Sequence, residues 1–127
     1  MTKMTLKKTL SAGLVGAALI IALGASARAA TADCTEPATG TSRVPILSPP
    51  ISNVVKGAGR LQFYSAPNIR CPMQGVFVIP RDHLIAYAET GDGWSSVMYL
   101  NPRTGADVSG WVRSSRLKAT GTVGPKR

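Results

Sequence analysis

Short apolar runs separated by turn-forming residues make up most of the chain from Gly59 onward. Each run is four to seven residues long and is bounded by Gly, Pro, Asn or Asp; the runs are Leu61–Tyr64, Gly75–Ile79, Leu84–Thr90, Trp94–Leu100 and Val108–Arg113. Runs of this length with such boundaries are typical of β-strands. No segment after residue 30 has the regular helical period of apolar residues that an amphipathic helix needs. The sequence therefore predicts an all-β fold.

The first 29 residues have the three parts of a secretory signal peptide. Residues 1–8 include three lysines and no acidic residue, residues 10–23 are mainly apolar, and small residues follow from Ala25 to Ala30. The apolar region would span about 21 Å as a helix, which is shorter than the ~30 Å hydrocarbon core of a bilayer. Cleavage is predicted after Ala29, with Ala27 as the alternative. The mature protein is then expected to be periplasmic or secreted, without a membrane span.

The chain is strongly basic only while the signal peptide is attached. Its 127 residues include 15 Lys and Arg against 6 Asp and Glu, which gives a formal net charge of +9. Cleavage after Ala29 removes four of these basic residues and leaves 98 residues with a net charge of +5. Scattered arginines at this charge do not form the basic motif of a nucleic-acid-binding protein. We therefore expect no nucleic acid among the partners.

The chain has two cysteines, Cys34 and Cys71. An even number of cysteines in a small exported chain predicts a disulfide. Closing this loop would stabilise the fold by about 4 kcal/mol on the chain-entropy model. The alternative is a thiol enzyme that uses Cys71 as nucleophile and His83 as base. No third residue that would orient such a pair is evident, so we expect the disulfide.

Residues 30–58 are rich in Thr, Ser and Pro, and the prolines include the Pro49-Pro50 pair. Proline fixes its own backbone dihedral and lacks a hydrogen-bond donor, so this segment is predicted to be an extended arm. The Pro-Pro pair could serve as a ligand for an aromatic groove elsewhere. We expect instead that the arm lies on its own domain and that Cys34 attaches it. Residues 121–127 are predicted to be a flexible basic tail.

Three motifs follow one another between Gly59 and Lys118. They are Leu-Gln-Phe-Tyr-Ser-Ala-Pro-Asn at 61–68, Gly-Asp-Gly-Trp-Ser-Ser-Val at 91–97 and Gly-Trp-Val-Arg-Ser-Ser-Arg-Leu at 110–117. In this order they resemble the opening strand, the Gly-x-Trp-x-x-Val segment and the closing Gly-Trp-Val-x-x-x-x-Leu segment of the bacterial Src-homology-three (SH3-like) domain family. The resemblance implies a small five-stranded barrel over residues 59–120. The sequence itself predicts one helical turn at Ser114–Leu117, before the last strand. Three apolar residues are expected inside the barrel: Val97, Val112 and Leu117.

Six residues are candidates for a binding surface, because aromatic and arginine side chains dominate recognition: Tyr64, Trp94, Tyr99, Arg103, Trp111 and Arg113. Neighbouring strand residues point to opposite faces, so Trp111 is predicted outside if Val112 is inside. The alternative for each tryptophan is packing in the core. Arg60 and Arg116 could join the other two arginines on one basic face, the alternative being a solvated surface. His83 is expected to pair with Asp82 at the surface.

No catalytic motif is evident in the sequence. It lacks a Gly-x-Ser-x-Gly elbow and a phosphate-binding loop, and its two cysteines and one histidine are too few for a protein-only zinc site. We expect no cofactor and no metal. We expect an exported, non-catalytic, monomeric binding module, and the resemblance implies that it contacts an envelope protein or a peptidoglycan peptide. The alternative is a periplasmic immunity or inhibitor protein whose Asn101–Gly105 loop enters the cleft of a toxic enzyme.

Overall fold

The computed structural model describes residues 33–124, so the predicted signal peptide, both cleavage sites and residues 125–127 lie outside the described residues. Seven strands and one 3₁₀ turn follow in chain order: β1 (Ile46–Val55), β2 (Leu61–Tyr64), β3 (Pro72–Val78), β4 (His83–Glu89), β5 (Trp94–Leu100), β6 (Asp107–Arg113), the 3₁₀ turn (Ser114–Arg116) and β7 (Leu117–Thr122). The predicted all-β class is confirmed. Among these residues, no helix has the length and apolar character needed to cross a membrane.

The strands form one antiparallel sheet in the order β3-β2-β6-β5-β4-β1-β7, with β3 and β7 at its edges. The described sheet thus has seven strands, whereas the resemblance implied five. One additional strand, β1, lies inside the segment predicted as an extended arm, and it pairs with both β4 and β7. β7 runs to Thr122 and so includes the first two residues of the predicted tail.

The main core collects buried side chains from the first six strands. Its members are Val55, Leu61, Phe63, Val78, Leu84, Ala86, Val97 and Val112. Val97 and Val112 therefore lie inside as predicted, and Leu117 packs against this cluster while half-buried. Alternation along each strand directs these apolar residues to one face of the sheet, where burial removes them from water.

Gly110 lies on β6 next to Trp111, which pairs with Tyr64 of β2. A Cβ at this position would be 3.0 Å from the carbonyl oxygen of Tyr64 and 3.0 Å from a ring carbon of Phe63. Because one of these neighbours is backbone, Gly110→Ala is expected to push the two strands apart and to lower the free energy of unfolding by about 1–3 kcal/mol. Urea denaturation of the variant measures this loss.

Gly91 offers a matched control for the Gly110 substitution. It has an ordinary backbone φ, and a Cβ there would meet nothing within 4 Å. Gly91→Ala should leave stability unchanged or raise it slightly, because alanine restricts the unfolded chain. Equal stability losses in the two variants would contradict the steric explanation for Gly110.

Candidate functional site

The six predicted binding residues form two groups at opposite ends of β5. Trp94 is the first residue of β5 and pairs with Arg113, whereas Tyr99 is the sixth and pairs with Val108. Five residues of strand correspond to roughly 17 Å, so one side chain of ordinary length does not bridge them. Tyr64 and Trp111 join the Trp94 end, and Arg103 joins the Tyr99 end. The six candidate residues therefore do not form one continuous surface.

Three aromatic side chains, Tyr64, Trp94 and Trp111, form an aromatic cluster at the start of β5. The Tyr64 and Trp94 rings meet edge to face, with centroids 4.9 Å apart and planes at 81°. The Arg113 guanidinium lies 4.4 Å from the centroid of the Trp94 ring, within range of a cation–π interaction. Trp94 is 3% exposed and Trp111 is 0% exposed. Both tryptophans thus occupy buried positions.

Two residues of the segment 33–45, which we call the covering segment, contact this aromatic cluster: Glu36 and Val44. Val44 is buried and packs with Trp94 and Trp111. The indole Nε1–H of Trp111 donates a hydrogen bond of 2.8 Å to Oε1 of Glu36. This bond satisfies a buried indole donor, which would otherwise lose its hydration without compensation. The expectation that the arm lies on its own domain is confirmed for this segment.

Trp111 and Val112 point to opposite faces, as strand alternation predicts. Val112 belongs to the main core, whereas Trp111 belongs to a second cluster with Val44 and Ala88. The prediction that Trp111 lies on an outer, accessible face is wrong, because the covering segment closes that face over it. Both tryptophans pack in the core, which was the alternative for each of them.

The predicted disulfide is confirmed: Cys34 and Cys71 are bonded, with their Cα atoms 5.7 Å apart. It attaches the start of the covering segment to the loop between β2 and β3. Cys71 is buried, and its sulfur is not available as the nucleophile that the thiol-enzyme alternative requires. Beside Cys34, hydrogen bonds from the Thr35 side chain and then from its backbone lower the pKa of Asp33.

Tyr99 stands at the meeting point of three surface depressions, with volumes of about 340, 330 and 270 Å³. Tyr99 itself is half-buried, while Ile79 is 50% exposed and Leu100 is 54% exposed. The first two depressions also share Asp82 and Pro102. We call this region the Tyr99 surface and define it by Ile79, Arg81, Asp82, Tyr99, Leu100, Pro102 and Arg103.

The loop between β5 and β6 projects beside Tyr99 and is held by its own hydrogen bonds. The Asn101 side-chain oxygen accepts the N–H of Arg103 at 2.8 Å, and the Asn101 carbonyl accepts the N–H of Gly105 at 2.8 Å. The Ala106 carbonyl accepts the N–H of Asn101 at 2.8 Å, which closes the loop. Such side-chain-capped turns restrict the backbone. Arg103 is therefore presented, exposed, on an ordered loop.

No family model, no curated protein and no solved structure matches this chain. Its function has to be inferred from its own residues and from the surfaces that they form.

The four arginines considered for one basic face are not equivalent. Arg60 lies over the Phe77 ring at 4.1 Å, and Arg113 lies over Trp94. Arg116 donates to the carbonyls of Lys56 and Gly59 at 2.6 and 2.7 Å, which makes it a structural residue of the β1–β2 loop. Within residues 33–124, Arg103 has no such side-chain partner. The single basic face is therefore not formed.

The predicted surface pair of Asp82 and His83 is not formed, because Asp82 has another partner. Its Oδ2 accepts the backbone N–H of Ile79 at 2.9 Å and closes the β3–β4 turn. Across the described part of the chain, no three His, Cys, Asp or Glu side chains come close enough to hold a metal ion.

Sequence reasoning missed three residues that shape these two ends of the sheet: Glu36, Val44 and Arg81. Glu36 and Val44 lie in a proline-rich stretch whose local pattern gives no contact information. Arg81 lies between two of the predicted strands, and its left-handed backbone is visible only in the structure.

Proposed function

We propose that this chain is an exported, non-catalytic, monomeric SH3-like binding module that contacts an envelope protein through the Tyr99 surface. The order of the three family-like motifs supports the SH3-like assignment and its barrel, as does a short 3₁₀ turn immediately before the last strand. The signal-like N-terminus and the disulfide support a periplasmic or secreted location.

The observation that carries the proposal is an uncovered apolar surface around a half-buried tyrosine. Ile79 and Leu100 expose half or more of their area beside Tyr99, whereas the aromatic cluster is already covered from within the chain. Recognition surfaces concentrate their energy in such aromatic anchors at the centre of an apolar patch. Exposed aliphatic side chains favour a protein partner over a polar wall peptide, because their burial requires apolar area on the other side.

We expect Tyr99→Ala to lower partner affinity by about 30-fold or more, because an anchor of this type contributes roughly 2 kcal/mol or more. The mature chain, residues 30–127, is immobilised and exposed to envelope extract and, separately, to purified peptidoglycan. A partner that is captured is identified, purified and titrated against each variant. Circular dichroism and thermal melts check that Tyr99→Ala still folds.

Tyr87 provides the matched control, since it is a 39% exposed tyrosine on β4 outside the Tyr99 surface. Tyr87→Ala should bind like the unmodified chain. Equal losses in the two variants, or binding that survives in Tyr99→Ala, would show that the partner docks elsewhere. If the mature chain binds peptidoglycan and captures no protein, the partner is a wall peptide and not an envelope protein.

A specific observation also favours the inhibitor alternative. The β5–β6 loop is held by internal hydrogen bonds and presents an exposed Arg103, so it loses little conformational freedom on entering a cleft. If the captured partner is a hydrolase, its activity is measured with and without the mature chain. Inhibition that Arg103→Ala relieves would support this alternative, and unaffected activity would contradict it.

A further inference from the structure

We infer that the Tyr99 surface recognises a carboxylate beside an apolar side chain on its protein partner, and that Arg81 and Arg103 bind that carboxylate. The inference rests on the proposed function and adds the chemistry of the partner. Three observations carry it: the backbone of Arg81, the lack of internal partners for both guanidinium groups, and the exposed apolar side chains that line the same depressions.

Arg81 has a left-handed backbone, with φ at +81°. Among the described residues it is the one non-glycine with a positive φ, a conformation in which Cβ crowds the backbone. The turn holds it there: its N–H donates to the Val55 carbonyl at 2.8 Å, and the Val55 N–H donates to the Asp82 carbonyl at 2.9 Å. Glycine would form the same turn without strain. The turn itself therefore does not require an arginine at this position.

Arg81 belongs to the Tyr99 surface as defined above. Arg81 is exposed and lines the second depression, and Arg103 lines the first. The two depressions adjoin, since both include Tyr99 and Pro102. Arg81 from the β3–β4 turn and Arg103 from the β5–β6 loop thus line adjoining depressions that share Tyr99.

Neither guanidinium has a hydrogen bond or ion pair to another residue of the described range 33–124. This distinguishes them from Arg60, Arg113 and Arg116, each of which lies on an aromatic ring or on backbone carbonyls. A guanidinium offers five donors in a planar fork that matches a carboxylate, so these two groups retain their full capacity for an external acid.

The acidic groups nearby do not neutralise both arginines. The carboxylate of Asp82 is engaged by the Ile79 N–H, and Asp107 lines the third depression, beyond Tyr99. His83 borders the second depression and is exposed. Two cations against one engaged carboxylate leave the first two depressions positive, while Ile79 and Leu100 add apolar area beside them. This combination complements an acidic residue next to an apolar one.

A random seven-residue peptide library displayed on phage is the probe, selected against immobilised residues 30–127. We expect the enriched peptides to contain Asp or Glu next to an aliphatic or aromatic residue. The strongest is synthesised together with its Glu→Gln or Asp→Asn form, and both are titrated by fluorescence anisotropy. The amide form should bind about tenfold more weakly, the loss expected for a charge-assisted hydrogen bond.

Arg81→Gly separates recognition from folding. Glycine accepts a positive φ, so the variant should be at least as stable as the unmodified chain, yet it should bind the acidic peptide about tenfold more weakly. Arg103→Ala should show a similar loss. Arg70→Ala, which removes an exposed arginine from the β2–β3 loop, keeps the net charge equal to that of these variants and should bind normally.

Amide chemical shifts locate the bound peptide and distinguish the two proposals. Two results would overturn the carboxylate inference and leave the proposed function standing, provided that the shifts lie at Tyr99. The first is a set of selected peptides without an excess of Asp or Glu. The second is an amide peptide that binds as tightly as its acidic form, together with an Arg81→Gly variant that binds as tightly as the unmodified chain. Shifts away from Tyr99, or no enriched peptide, would overturn both. Shifts at Tyr99 for an acidic peptide that both Arg81→Gly and Arg103→Ala bind about tenfold more weakly would support both.

Discussion

Replacing Trp111 by alanine is expected to lower the free energy of unfolding by about 3–5 kcal/mol, the usual cost of truncating a buried tryptophan. The side chain is 0% exposed and packs with Val44 and Trp94 beneath the covering segment. Its removal leaves a cavity and frees the Glu36 carboxylate from its indole donor. Urea denaturation measures the loss. It is followed by circular dichroism and not by tryptophan fluorescence, because the variant removes one of the two tryptophans.

Two further variants separate the ring from its hydrogen bond. Trp111→Phe keeps much of the ring but not the N–H, and Glu36→Ala keeps the indole but removes its acceptor. We expect each to cost about 1–3 kcal/mol, because a buried donor or some packing is lost. A cost below about 1 kcal/mol for Trp111→Ala would mean that the covering segment does not hold this ring in solution. A binding defect in Trp111→Ala is therefore not evidence of partner contact.

Local signals were sufficient for most of the strands. The runs Leu61–Tyr64 and Trp94–Leu100 coincide with β2 and β5, and the single helical turn at Ser114 is a 3₁₀ turn. Alternation and turn residues act over a few positions, so the sequence around each strand contains the information that forms it. The disulfide was equally accessible, because two cysteines allow one intramolecular pairing.

Contacts between distant segments could not be obtained in this way. The hydrogen bond between Trp111 and Glu36 joins residues 75 positions apart, and no local spacing encodes it. β1 was missed because Pro49 and Pro50 lack the N–H groups of a regular ladder; its register with β4 is interrupted between Ile46 and Ile51. The strand accommodates them through this interruption and pairs on both sides elsewhere.

The division of the candidate site into two ends, in contrast, was within reach of the sequence. Trp94 and Tyr99 belong to one predicted strand, and an extended strand advances about 3.3 Å per residue. Treating the aromatic residues as one groove ignored that length. The length of the strand places Arg103, in the following loop, at the Tyr99 end. Arg113 pairs with Trp94 and therefore belongs with the covered cluster.

Replacing Cys34 and Cys71 together by serine is expected to lower the free energy of unfolding by about 4 kcal/mol. The bond closes a loop with a sequence separation of 37, and the chain-entropy model assigns about this value to a loop of that length. It also attaches the covering segment near Glu36, whereas the other end of that segment continues into β1, which pairs with β4. Loss of the bond should therefore loosen the cover over Trp94 and Trp111 without dissolving the sheet.

Acrylamide quenching of tryptophan fluorescence reports on that cover, since the chain has two tryptophans and both are buried under the segment. Quenching should increase in the double serine variant and in the reduced protein at temperatures where circular dichroism is still native. Reductant added to the serine variant is the control and should change neither stability nor quenching. Unfolding free energies that agree between the oxidised and reduced protein would contradict a stabilising bond. Unchanged quenching with a full stability loss would mean that β1 and Val44 alone keep the aromatic cluster covered, so that the disulfide acts on the unfolded chain rather than on the cover.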